Sequence, residues 1–251
     1  MEPILPKRQT INERLHGSPP NSAELIALWN STLINRLLGA VWEAYDDFHQ
    51  TVLSRVPWTE DFVNMERSIS QDFELAINRK LNGFLPVDVQ HGRFEEESRS
   101  TTKDNAQPPQ YDIAFIWNAD VRIMWPLEAK VLKSDASTET NLGNYVETLK
   151  ERFLTGYYAP FSNGGAMVAY LKSGEAEKVI GYIETRIGCA LTQYPQFPDR
   201  CHKTSDHQRT IPAGKDYPIA FRCHHLILPL SNASVQAQQP NLAEPVPKSG
   251  Y

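Results

Sequence analysis

The sequence predicts a mixed α/β domain built on one sheet, and three observations indicate this fold class. Two apolar segments, 111–117 and 121–132, are separated by a few residues around Asn118, a spacing typical of an antiparallel hairpin. An apolar stripe at helical spacing follows, and then a short apolar segment at 166–171, which is the pattern of a crossover between parallel strands. A further helical pattern precedes a last apolar segment at 219–228. The expected order is helix, three strands, helix, strand, helix, strand, behind an extra N-terminal helix.

Composition and charge exclude several classes of protein. No stretch of the 251 residues has the apolar length that crosses a bilayer, and the N-terminus lacks the apolar core of a signal peptide, so we expect no membrane association. Three scattered cysteines are too few for a disulfide framework, which favours a cytoplasmic protein. The net charge of −5 argues against a general nucleic-acid coat protein, but it is compatible with an enzyme that holds a metal in an acidic pocket.

The N-terminal part is expected to contain a disordered arm and one helix. Residues 1–20 end in a Gly-, Ser- and Pro-containing stretch and form the arm. A stripe of Leu, Trp, Val and Tyr at helical spacing predicts a helix from Ser22 to about Val56, ended by Pro57. We therefore expect a helical extension over 21–57.

The remaining elements are predicted to form a single α/β domain over 58–230. Thr59 is a good N-cap for a second helix that ends near Asn82–Gly83. Residues 95–110 are polar and contain proline, which predicts a loop. The other expected elements are a strand over 85–94, a helix over about 138–155, a helix over about 173–191, and a disordered tail over 231–251.

Three charged residues of the predicted hairpin share one face if its loop has an odd number of residues. Glu128 and Lys130 are two apart on one strand, so they point the same way. A five-residue loop puts Asp112 directly opposite Glu128, a three-residue loop puts it on the diagonal, and an even loop sends it to the other face. Pro126 lies in the strand that carries Glu128 and lacks a ladder donor, so a bulge or kink is expected there, and either could shift this register.

A further carboxylate is predicted to face the same place from the second helix. Glu66 falls inside the apolar stripe of that helix, whereas Glu74, the alternative, lies nearer its polar edge. Carboxylates converging beside an ammonium suit Mg²⁺ or Mn²⁺, which keep several waters for a phosphate substrate. The alternatives are a simple ion pair at a solvated sheet edge and a helix glutamate that reaches outward to water.

This combination resembles the PD-(D/E)xK nuclease superfamily over about residues 59–172. The motif reads Tyr111-Asp112 followed by Glu128-Ala129-Lys130, with Tyr111 where the family usually has proline. The resemblance implies a restriction-endonuclease-like core of helix, three strands, helix and strand, to which an N-terminal helix and a C-terminal helix and strand are added.

The resemblance also implies a role for each residue of the motif. Asp112, Glu128 and the Ala129 carbonyl would bind Mg²⁺, or Mn²⁺ in its place. Glu66 would hold a metal-bound water or a second ion. Lys130 would orient the attacking water and offset charge on the scissile phosphate, because a nearby cation stabilises the charge that develops there.

Other polar residues are candidates for contacts with nucleic acid or metal. Lys150 and Arg152 lie on the polar edge of the helix after the motif, and His207 and Arg209 lie in a predicted loop, SDHQR. All four could contact backbone phosphates, although exposed basic residues are usually only solvated. The histidines and cysteines of the C-terminal third lack the paired spacing of a zinc finger.

The function expected from the resemblance is metal-dependent cleavage of DNA, typical of effectors of bacterial restriction or phage defence. The low basicity suggests that targeting comes from a partner protein, a homo-oligomer or a small-molecule activator. Two alternatives stay open at this point, a nuclease-fold module that binds without turnover and a ribonuclease.

Overall fold

The structure, a computed structural model, describes residues 27–49, 62–84, 86–95, 109–134 and 139–230. The predicted arm, most of the 95–110 loop, the Thr59 cap and the tail lie outside these residues. The helices are α1 (Ser31–Phe48), α2 (Phe62–Lys80), α3 (Glu139–Thr148), which continues in a π-helical turn (Leu149–Phe153), and α4 (Ala176–Ile187). The strands are β1 (Val87–His91), β2 (Ile113–Trp117), β3 (Met124–Lys133), β4 (Gly164–Ser173), β5 (Thr192–Gln193), β6 (His202–Gln208) and β7 (Ala220–Pro229).

The described residues form a mixed α/β fold around one seven-stranded sheet, which confirms the predicted class. The strand order is β1-β2-β3-β4-β7-β6-β5, with β3, β4 and β7 parallel and the outer pairs antiparallel. Helices α1 and α2 share one apolar core with one face of the sheet, and α3 and α4 share a second core with the other face. No helix in the described part of the chain is long and apolar enough to cross a membrane.

The β2–β3 hairpin has the register that corresponds to a five-residue loop. Ile113 pairs with Leu127, so one step further Asp112 lies across from Glu128. Pro126 causes no bulge between these strands, contrary to expectation. Residue pairs along an antiparallel ladder alternate between hydrogen-bonded and non-hydrogen-bonded. Because Trp117 is hydrogen-bonded to Ile123, Pro126 lies in a non-hydrogen-bonded pair on the β2 side. Pairing with β4 begins only at Leu127, so the missing N–H of Pro126 removes no ladder bond.

Helix α1 begins later than its apolar stripe suggests. Asn30 has extended backbone (φ −71°, ψ 163°), and its side chain accepts a hydrogen bond from the Leu33 N–H at 3.0 Å. This is an N-cap, because the side-chain oxygen satisfies an N–H that has no partner within the helix. The expectation of one continuous helix from Ser22 is therefore wrong, since Asn30 interrupts it.

The C-terminal third contains more sheet than the sequence predicts. SDHQR was expected as a loop, but residues 202–208 form β6, which pairs antiparallel with β7 along its whole length. Helix α4 ends at Ile187 instead of near Leu191, because Gly188 adopts a left-handed conformation (φ 77°) that caps it.

Candidate active site

The free edge of β3 carries the centre of the candidate site. Strand β2 pairs with β3 only as far as Leu127, so among the described residues the rest of β3 has a strand neighbour on the β4 side alone. Two backbone N–H groups on the open side find carboxylates instead of a strand. Ala129 N–H donates to Asp112 Oδ2 at 2.8 Å, and Val131 N–H donates to Glu66 Oε2 at 3.2 Å. The end of pairing thus places two carboxylates beside β3.

The Lys130 ammonium holds the three predicted carboxylates together. Its Nζ lies 3.0 Å from Glu66 Oε1, 3.2 Å from Glu128 Oε1 and 3.9 Å from Asp112 Oδ2. It also donates to the Ala129 carbonyl. The three carboxylates come from α2, the start of β2 and the middle of β3, so the site exists only when these elements are packed.

The structure distinguishes between the two helix glutamates. Glu66 reaches the site through both of its oxygens. Glu74, two turns further along α2, accepts a hydrogen bond from Asn78 instead. The Asn78 amide also donates to the Val89 carbonyl on β1 at 3.0 Å, so this part of α2 faces β1. Of the two, Glu66 is the carboxylate that lies at the site.

Burial raises the pKa of every carboxyl group of the site, and repulsion between carboxylates adds to this for Glu128 and Glu66. Burial, followed by the charge of Asp112, raises the pKa of Glu128 to about 8. Burial also raises the pKa values of Glu66 and Asp112, although Lys130 opposes the shift in both. Burial by itself would lower the pKa of Lys130, but the surrounding carboxylates raise it above its usual range. Three acids beside one ammonium cannot all be ionised without leaving negative charge uncompensated in a desolvated place.

One carboxylate oxygen indicates that the site suits a hard divalent cation. Glu128 Oε2 is buried and has no hydrogen-bond partner among the described residues. A buried carboxylate oxygen without a partner is costly, and a cation would satisfy it. Within the described ranges no three His, Cys, Asp or Glu side chains are arranged to hold a metal ion by themselves. Mg²⁺ needs no such cluster, since it is commonly bound by one or two carboxylates and several waters.

Basic side chains that the motif did not reveal border the site. Arg67 and His91 line a pocket of about 340 Å³ together with Asp112, and both charges favour its ionised form. Arg67 follows Glu66 directly in the sequence, so its place near the site could have been predicted from that of Glu66. His91 is placed by the β1–β2 register, where it pairs with Ile113, and nothing local in the sequence indicates that pairing.

Arg152, which was predicted to contact nucleic acid, lies on the side of Glu128. Its Nη1 donates to the Tyr158 hydroxyl at 2.8 Å. Burial raises the pKa of Tyr158, and the charge of Glu128 raises it further. Burial by itself would lower the pKa of Arg152, but nearby groups that include Glu128 raise it. Arg152 belongs to the π-helical turn, and such turns are frequent at functional sites.

Three other predicted contacts lie in different surroundings. Lys150 is exposed and donates to the Arg186 carbonyl at 2.6 Å, at the end of α4. His207 bonds Ser205 on β6 and lines a cleft at the opposite end of the sheet. Arg209 is buried, and its guanidinium donates to the carbonyls of Tyr158, Ala159 and Ser162. These bonds occupy Arg209, so we withdraw it as a phosphate contact.

The site therefore combines three carboxylates, one ammonium and neighbouring basic side chains at the free edge of β3. Comparison of the chain with protein-family models, with curated proteins and with solved structures finds no match. What the chain does has to follow from these residues and contacts.

Proposed function

We propose that this chain is a metal-dependent nuclease that hydrolyses phosphodiester bonds of DNA. One observation supports the proposal above the others, the convergence of Glu66, Asp112 and Glu128 on the Lys130 ammonium. A purely structural ion pair needs one carboxylate, whereas three acids buried with one base are unfavourable unless a further cation joins them. Perturbed acids gathered in this way are typical of catalytic sites.

The proposed roles follow from the chemistry of each group. Asp112, Glu128 and the Ala129 carbonyl would hold Mg²⁺ or Mn²⁺, which when bound supplies positive charge next to the scissile phosphate and lowers the pKa of water. Lys130 would leave its carboxylate partners in part and donate hydrogen bonds to the attacking water or to a phosphate oxygen. Glu66 would keep Lys130 and the β3 backbone in place, and it is suitably placed to accept a proton from the water.

Nearby basic residues would help to hold a polyanion. Arg67 and His91 lie beside Asp112, and Arg152 lies near Glu128, so positive charge borders the acids on two sides. The chain as a whole remains acidic, with a net charge of −5. Weak binding of the isolated chain to DNA at physiological salt follows from this balance, since phosphate contacts set the affinity. A partner protein, a second copy or a small-molecule activator would then direct it, as in restriction or phage defence.

The test is cleavage of plasmid DNA and of structured RNA with Mg²⁺ or Mn²⁺. Glu128→Ala and Lys130→Ala should each lower the rate at least about a hundredfold, because each removes a charge that acts on the transition state. Cleavage of RNA in preference to DNA would make the chain a ribonuclease.

Helix α2 offers a matched pair of variants. Glu66→Gln should lower cleavage strongly, whereas Glu74→Gln, on the same helix and away from the site, should leave it within about twofold of wild type. Equal rates for wild type, Glu128→Ala and Lys130→Ala would refute the proposal. DNA binding by the full chain with no cleavage under any condition would identify a binding module instead.

A further inference from the structure

The guanidinium of Arg152 has hydrogen-bond donors that the fold does not use. Arg152 is exposed, and its Nη1 donates to the Tyr158 hydroxyl at 2.8 Å. Within the described ranges its guanidinium makes no other hydrogen bond and no ion pair. An arginine carries several further N–H donors in the same plane. These donors are therefore available to an acceptor that the described residues do not supply.

The hydroxyl of Tyr158 connects Arg152 to the segment that leads into β2. It lies 3.0 Å from the Gln110 carbonyl oxygen. A carbonyl can only accept, so the single hydroxyl proton points to Gln110 and a lone pair of the oxygen faces the Arg152 N–H. Gln110 precedes Asp112 by two residues and lines the same pocket as that carboxylate. One hydroxyl group thus holds the Arg152 guanidinium against the backbone beside the acidic site.

Electrostatic interactions place the same pair on the side of the proposed metal ligands. Burial raises the pKa of Tyr158, and the charges of Glu128 and Asp112 raise it further. Burial by itself would lower the pKa of Arg152, but Tyr158 and Glu128 are among the groups that raise it. Arg152 is therefore attracted by the acids of the site without being neutralised by an ion pair with any of them.

The Tyr158 side chain is itself held in one position. Tyr158 is 1% exposed, and the rings of Tyr111 and Phe153 meet it edge-on at centroid distances of 4.8 and 5.4 Å. The next residue, Ala159, has a left-handed backbone (φ 51°), and its N–H donates to the Tyr111 hydroxyl at 2.9 Å. This conformation is unfavourable for alanine, and such residues cluster at functional sites. The packing fixes the Tyr158 hydroxyl and with it the direction of the Arg152 guanidinium.

We infer that Arg152 binds a non-bridging phosphate oxygen of the substrate beside Glu128, and that Tyr158 is the positioning residue that orients its guanidinium. A planar guanidinium matches phosphate oxygens in pairs, which an ammonium does not. An orientation that is fixed beforehand also reduces the freedom lost on binding. The inference rests on the proposed function and adds to it a defined phosphate contact. Such a contact supplies affinity and register, and it carries no sequence preference.

The first test measures binding separately from cleavage. The full chain is titrated into a fluorescein-labelled DNA duplex with Ca²⁺ in place of Mg²⁺, at several salt concentrations, and gel electrophoresis checks that the duplex stays intact. Arg152→Gln should weaken binding about tenfold and lower the salt slope by about one, because one phosphate contact is lost. The matched control is Lys150→Gln, in the same π-helical turn but bonded to the Arg186 carbonyl, and it should change neither quantity.

The second test separates positioning from a purely structural role. Tyr158→Phe keeps the buried ring and removes the hydroxyl, so it should weaken binding about three- to fivefold. Combined with Arg152→Gln, it should weaken binding no further than Arg152→Gln alone, because the hydroxyl acts through the guanidinium. Losses that add would mean that Tyr158 acts through the fold and not through Arg152, which overturns its positioning role.

The outcomes also separate the inference from the nuclease activity. Cleavage by wild type, with equal binding by wild type and Arg152→Gln, would overturn the inference and leave the nuclease. Binding that depends on Arg152, with no cleavage under any condition, would do the reverse. Absence of DNA binding at the lowest salt concentration overturns the inference in either case. Should Tyr158→Phe fail to fold, Arg152→Lys decides, since it keeps the charge without the planar donors: binding equal to that of wild type would refute positioning, and a loss of threefold or more would support it.

Discussion

At the scale of single residues, the two carboxylate oxygens of Glu128 lie in different surroundings. One of its oxygens bonds Lys130, and the other is buried without a hydrogen-bond partner among the described residues. Asp112 and burial together disfavour its ionised form. Under the proposed function, this loss of free energy of unfolding is the trade between stability and activity that is usual at catalytic sites.

Glu128→Gln should stabilise the fold, and the gain should depend on pH. The folded-state pKa of Glu128, about 8, is above the unfolded value, so its stabilising contribution is complete below pH 4.5 and is lost as the pH rises to about 8. The variant lacks this loss, so its advantage in free energy of unfolding should grow by up to about 1.4 kcal/mol per pH unit across that window. Urea unfolding of both proteins at pH 5, 6.5 and 8 measures it. A constant difference across these pH values would contradict the buried, repelled state of Glu128.

Arg209 supports the fold through its carbonyl contacts and its position over the Phe221 ring, 3.9 Å from the ring centroid. Arg209→Lys should therefore lower the free energy of unfolding by about 2 kcal/mol or more, because an ammonium cannot reproduce the planar set of donors. Thermal unfolding measures the loss. Salt-dependent DNA binding by the folded variant should equal that of wild type, and a reduced salt slope would reinstate Arg209 as a phosphate contact.

At the scale of elements, the close packing of β4 against the π-helical turn depends on a glycine. A Cβ added at Gly165 would lie 2.9 Å from Phe153 Cε1 and 3.2 Å from the Pro126 carbonyl oxygen. Gly164 and Gly165 open β4 and allow the helical layer to approach it. The contact positions the segment that carries Arg152.

Two glycine substitutions should act in opposite directions. Gly165→Ala should lower the free energy of unfolding by about 1–3 kcal/mol, because Phe153 and the β3 backbone must move. Gly181→Ala, on the exposed face of α4 with nothing within 4 Å of its added Cβ, should raise it by up to about 1 kcal/mol through helix propensity. Denaturant unfolding of the pair provides the comparison. Destabilisation of equal size at both positions would rule out the steric explanation.

At the scale of the whole molecule, both apolar cores share the strands of one sheet. Helix α1, expected as an extension, packs with α2 in the first core, where Leu37 is fully buried. Ile183 of α4 is fully buried in the second core. Because the strands between them contribute side chains to both faces, loss of either core exposes the sheet that holds the other.

We therefore expect one cooperative unfolding transition. Leu37→Ala and Ile183→Ala should each lower the same transition, by about 2–5 kcal/mol, because each leaves a cavity in a closely packed core. Calorimetry together with near- and far-ultraviolet circular dichroism would show coincident curves for both variants. A separate early transition in Leu37→Ala would mean that α1 folds as an independent extension.

Local patterns identified the charged residues of the acidic site as candidates, but they did not position its surroundings. Glu128 and Lys130 share a strand face by simple alternation, and Glu66 stands out because it interrupts an apolar helical stripe. The strand β6 was missed because HKTSDHQ is polar, and its histidine and serine side chains are buried through hydrogen bonds to other elements. Arg209 looks like a surface cation in sequence, yet it is buried beneath a loop that sequence cannot position.

By itself the sequence determined the fold class and the shared strand face of Glu128 and Lys130, because periodicity dictates which side chains share a face. Only the tertiary structure decided the rest. Pairing of Ile113 with Leu127 chose the five-residue loop, and the free edge of β3 beyond it gave Asp112 and Glu66 backbone partners. The hydrogen bond from the Trp42 indole to His202 is also a tertiary feature, since the two residues are 160 positions apart. Contacts between distant segments depend on how whole elements pack, and no local pattern encodes that packing.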